Sequence, residues 1–174
     1  MRPIRGTFVF LLAAACATTG GRVRYGDITL RPYGAPQASP AVFSVQQGRI
    51  VSPTLDLVEE PDGCIRGNVL NGLVVLCKAG QPPPPLGGAG GRVEQWTGNG
   101  GNFTLELSED GSMLRMDGYL RPTSATDIPM QATVPLGKGP EWDELRRHPA
   151  FLAIAAALAG IRGEPDPNSM PDRK

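Results

Sequence analysis

Between Asp27 and Leu136 apolar and polar residues exchange places mostly at every second position. That is the spacing of strands with one buried face. It is clearest in Phe103-Thr104-Leu105-Glu106-Leu107 and in Met113-Leu114-Arg115-Met116. Alternation and turn residues together predict strands over Asp27–Tyr33, Ala41–Gln46, Arg49–Val58, Cys64–Leu70, Leu73–Lys78, Arg92–Thr97, Asn102–Leu107, Met113–Leu120 and Ile128–Leu136. Gln47-Gly48, Asp62-Gly63, Asn71-Gly72 and Asp110-Gly111 fall at hairpin spacing. Short consecutive strands joined by tight turns make an antiparallel meander. The expected fold is therefore mostly β, a meander closing as a small barrel or folding as a sandwich.

The period changes after Gly139. Pro140 suits the first turn of a helix, and Glu141, Asp143 and Glu144 place negative charge on its positive end. Trp142, Leu145, Phe151, Ile154, Ala155 and Leu158 recur at helical spacing. Pro149 is expected to kink or split the helix near His148, and Gly160 to end it. The stretch from Ala150 to Ala159 is apolar almost all round, so it is expected to pack on the sheet.

The segment Gly80-Gln81-Pro82-Pro83-Pro84-Pro85-Leu86-Gly87-Gly88-Ala89-Gly90-Gly91 interrupts the strand order. Its prolines cannot donate ladder hydrogen bonds, so 79–91 reads as a long exposed loop, with a docking motif as the rival reading. Residues 162–174, with Pro165, Pro167 and Pro171, read as a disordered tail. One β-rich domain over 25–161 remains, long enough to bury a core. The chain carries 17 basic and 17 acidic residues and no basic stripe. That balance argues against a nucleic-acid partner.

The first residues follow another pattern. Arg2 and Arg5 precede the apolar run Phe8-Val9-Phe10-Leu11-Leu12, and Ala13-Ala14-Ala15 lead into Cys16. A basic start, an apolar stretch too short to span a bilayer and a small-residue site describe an export signal. With its cysteine, this segment resembles a bacterial lipoprotein signal. The family prefers Leu where this chain has Ala13. The resemblance implies cleavage after residue 15, lipid on Cys16 and a flexible tether over 16–24. It also implies a site in the cell envelope, at the outer membrane and facing the periplasm, since Ala17 stands where Asp would favour the inner membrane. An ordinary secretory signal is the alternative, because Ala15-Cys16-Ala17 fits the usual A-x-A site.

In an oxidising compartment Cys64 and Cys77 form an even pair, and a disulfide is the default expectation. They flank Asn71-Gly72. A two-residue turn there would set Leu70 against Leu73 and leave the cysteines diagonal, so a bridge would need a bulge or a longer loop. A metal site is the weaker alternative, because two cysteines and the distant His148 do not fill a zinc shell.

Motifs for chemistry are sparse. The sequence has neither a G-x-S-x-G elbow nor a G-x-x-x-x-G-K loop. Gly98-Asn99-Gly100-Gly101 reads as a flexible hairpin loop, and His148 as a solvated residue. Alternation places Glu94 and Glu106 opposite the core, which disfavours a buried acid pair. Tyr33, Trp96 and Tyr119 are candidate ligand-lining or core aromatics. The rhythm from Gln95 to Tyr119 is similar to that of lipocalin-like barrels, and no binding residue is carried over from it.

These readings converge on a non-catalytic, membrane-tethered envelope lipoprotein, a binding or assembly component with an envelope protein partner. It is expected to need no cofactor beyond the lipid on Cys16 and no metal. A lipocalin-like carrier of a small apolar ligand is the second reading, and an enzyme the third.

Overall fold

The computed structural model describes residues 22–163 except 34, 36, 81–85 and 87–90. Its strands are β1 (Arg24–Leu30), β2 (Ala41–Gln46), β3 (Arg49–Ser52), β4 (Leu55–Glu59), β5 (Cys64–Val69), β6 (Gly72–Lys78), β7 (Arg92–Gly98), β8 (Gly101–Leu107), β9 (Met113–Thr123), β10 (Thr126–Pro129) and β11 (Ala132–Pro135). Two helices follow, α1 (Pro140–Arg147) and α2 (Pro149–Leu158).

Neighbours in the chain are neighbours in the sheet from β1 through β10, every pair antiparallel. β11 returns to β9, so β10 and β11 share one edge of that long strand. The sheet curls into a half-barrel with the helices in its trough. This settles the choice between barrel and sandwich: the strands form one curved layer, and the apolar stretch of α2 takes the place of a second sheet.

Two expected strands are divided. Arg49–Val58 turns at Pro53-Thr54, with Ser52 opposite Leu55. Ile128–Leu136 breaks at Met130-Gln131, where Met130 is fully buried. In both places an apolar run long enough for one strand crosses a point that a continuous strand cannot follow. β1 also begins earlier than expected, at Arg24, inside the segment assigned to the tether. Likewise Gly163 pairs with Ala132 and bonds the backbone of Gln131 and Thr133, so the domain extends past residue 161.

Inward-facing side chains from every wall, among them Phe43, Ile50, Leu57, Leu76, Trp96 and Phe103, meet α2 in one core. All nine residues from Pro149 to Ala157 are buried. Each buried Phe, Leu or Ile contributes roughly 1.5–3 kcal/mol, which is why an all-apolar helix belongs here rather than on a wet face. α2 ends as the sequence indicates. Gly160 has φ +75°, and the amides of Gly160 and Ile161 return to the carbonyls of Ala157 and Ala156. That is a Schellman stop, closed by a buried Ile161.

The disulfide forms by a simpler route than expected. The β5–β6 turn sits one residue early, on Leu70-Asn71, both with positive φ. Val69 therefore faces Gly72 and Cys64 lies directly opposite Cys77, with Cα atoms 4.1 Å apart. Neither bulge nor longer loop is used. Gly72 explains the shift, because it belongs to the strand: a Cβ there would meet the Pro122 carbonyl of β9 at 1.7 Å. Glycine is needed for close backbone approach across the curl, and Asn71 supplies the left-handed turn residue instead.

Candidate functional site

The residues expected to carry function lie in separate places. Cys16, the segments expected to be an export signal (1–15) and, up to residue 21, a tether lie outside the described residues, as do most of the Pro/Gly segment and residues 164–174. Cys64 and Cys77 are joined on the convex face. Trp96 is buried on the inner wall, Tyr119 lies on the outer face under Arg121, 4.9 Å away, and Tyr33 lies where the sheet fails to close. The three candidate aromatics do not share a cavity.

Polar groups do converge where α1 gives way to α2. The break at His148 turns its ring toward the sheet, and Nδ1 lies 2.5 Å from Glu59 Oε2 at the end of β4. Nε2 is 3.4 Å from Glu144 Oε1 on α1. Glu144 is itself buried; it accepts a bond from the Gly48 amide at 2.7 Å and one from Arg147 at 3.0 Å. The bond to Glu59 is the main cause that raises the His148 pKa above 6.5, against a smaller opposing effect of burial. His148 is thus a partnered, half-buried residue, not the solvated one expected from its neighbours in sequence. The signal missed was Glu59, 89 positions away.

A second polar group sits on the inner wall nearby. Glu94 shares a face with Trp96, so it points inward, contrary to the alternation reading; Arg92 and Lys78 make this tolerable. Its Oε1 accepts a bond from Lys78 at 2.6 Å and lies 3.3 Å from Arg92, and its Oε2 accepts one from the Trp96 indole at 3.1 Å. A buried carboxylate persists only with such partners. Arg92 also donates to the Arg146 and Arg147 carbonyls at the end of α1, and Arg146 donates to those of Gly111 and Gly137. Glu106 lies on the outer face as expected, yet it too is buried. Arg92 and Arg146 thus fasten α1 to the sheet and its loops.

What the cluster can do chemically follows from its partners. Among the described residues, no serine, threonine or cysteine bonds to His148, whose ring nitrogens face Glu59 and Glu144. No group of three His, Cys, Asp or Glu among the described residues could hold a metal ion. Asn99 continues the β6 ladder with its side chain, accepting from the Val75 amide and donating to the Leu73 carbonyl. The glycine-rich turn around it is therefore tied to the sheet rather than loose.

Two clefts remain. The larger, about 670 Å³, lies beside β9 near the gap between β10 and β11, and its Arg115 and Arg162 share the lining with Asp117. The other, about 470 Å³, lies at the seam between the end of β1 and residues 134–137, and it gathers Tyr33, Trp142 and Ile161. Trp142 was legible as part of the helical stripe. Its neighbourhood with β1 was not, because only the curl of the whole sheet brings them together.

Compared with protein-family models, with curated proteins and with solved structures, the chain matches none.

Proposed function

We propose that this protein is a non-catalytic envelope lipoprotein, tethered through lipid on Cys16, whose half-barrel domain binds a protein partner facing the periplasm. The observation that supports this reading best is the filling of the trough by the protein's own α2. With Pro149 to Ala157 all buried, the inner wall holds a helix where a carrier would hold its cargo. The titratable groups that meet at the helix break support the same reading, since Glu59, Glu144 and His148 are each engaged in joining the helices to the sheet. Recognition is then left to the outer surface and to the seam.

The test is extraction of the tagged protein from membranes under mild conditions, followed by native mass spectrometry. The expected species is the lipid-bearing chain in a stoichiometric complex with another protein. An extracted chain that holds one apolar molecule, released only on unfolding, would favour interior carriage instead.

A further inference from the structure

The seam is built unlike the rest of the surface. Thr29, Leu30 and Arg31 line it consecutively on one side, and Val134 through Gly137 on the other. A sheet face shows every second residue, so consecutive residues mark the cleft as a slot between two sheet edges. An added peptide strand is the first occupant such edges suggest. One wall offers it little. The Thr133 amide already donates to Gly163, Pro135 has no amide hydrogen, and the Leu136 amide donates to Ser112.

What the slot does offer is apolar surface with one charge. Leu30 and Ile161 are buried at its base, and Leu136, Trp142 and Tyr33 pack against the same core. Among the described residues Arg31 is the only charged one in the lining, and it is exposed. Among the described residues it makes no ion pair. A lone guanidinium at the edge of an apolar slot matches a carboxylate attached to an apolar body, because guanidinium binds carboxylate through paired hydrogen bonds. The volume of about 470 Å³ lies in the range of small-molecule sites.

We propose that the seam between β1 and residues 134–137 binds a small organic carboxylate with an apolar body, Arg31 holding the carboxylate and Leu30, Leu136, Trp142 and Ile161 the rest. This site lies outside the filled trough, and the inference goes beyond the partner-binding reading above. The slot is formed by the curl of the sheet and is open to solvent with α2 in place, so no opening of the trough is required.

The probe is octanoate, compared with octylammonium of equal chain length, on the full-length protein labelled with 5-fluorotryptophan. Fluorine NMR separates Trp142 at the seam from Trp96 inside the wall. Octanoate should shift the Trp142 signal saturably and leave Trp96 in place, while octylammonium should not saturate. Arg31→Gln should weaken octanoate about tenfold, the loss of one charge-assisted contact, and Arg31→Lys should restore part of it. Thr29→Trp, at an exposed position on the slot wall, should block binding while the circular dichroism spectrum stays unchanged. Equal binding of the two probes, an unmoved Trp142 signal, or full affinity in Arg31→Gln would overturn the proposal. The Trp142 signal reads the seam alone and partner retention reads the binding role, so either can fail without the other.

Discussion

His148 Nδ1 lies 2.5 Å from Glu59 Oε2, joining the break between two helices to a strand end 89 residues earlier in the chain. Because the partner raises the pKa of His148, the contact has a definite pH signature. The stabilisation is complete below the ordinary value of 6.5 and is lost as pH rises through the raised native value. Groups facing the ring include Glu59 from β4 and Glu144 and Arg147 from α1, and Arg147 opposes the shift.

The first prediction follows directly. The melting temperature of the wild type should fall as pH rises above about 6.5 through the raised native value of His148, and that of His148→Gln should fall less over the same rise. Parallel curves would show that the pair does not hold the helix break.

The disulfide should stabilise the fold by about 2–4 kcal/mol, because it closes a short loop in the unfolded chain. Denaturant titration of Cys64→Ser/Cys77→Ser beside the oxidised wild type measures this. Thiol counting on denatured, unreduced protein should find neither Cys64 nor Cys77 free.

Phe151→Asp should unfold the domain. Removing a fully buried phenyl ring costs about 3–5 kcal/mol, and the carboxylate adds the cost of an unpaired buried charge. Loss of the cooperative thermal transition is the expected readout; an unchanged transition would mean that α2 does not fill the trough.

Gly72→Ala should cost about 1–3 kcal/mol or more, since the added methyl falls on the Pro122 carbonyl, a backbone atom that cannot rotate away. Gly80→Ala, where a Cβ meets nothing within 4 Å, is the control and should be nearly neutral.

Much of the fold was legible in local pattern. Alternation located the walls of the half-barrel, Pro140 and Pro149 located both helix starts, and Gly160 located the stop. Errors arose where a distant contact decided a local question. Gly72 reads as a turn residue until Pro122 is seen against it, and the hairpin register follows from that contact. Met130 reads as mid-strand until β10 and β11 are seen to share β9. The same holds for the candidate site. Tyr33, Trp96 and Tyr119 are alike in sequence, yet the curl sends them to the seam, the inner wall and the outer face. Arg31 carries no local signal, for its place in the proposed site depends on its making no ion pair among the described residues and on Trp142 across the seam.

The tether on Cys16 underlies the functional reading as a whole, and the intact mass of the protein recovered from membranes tests it most directly. The account predicts a chain that begins at Cys16 and carries lipid there, with Cys16→Ser unlabelled by a fatty acid analogue and released from the membrane fraction. A lipid-free chain beginning at Thr18, or equal label in wild type and Cys16→Ser, would contradict it.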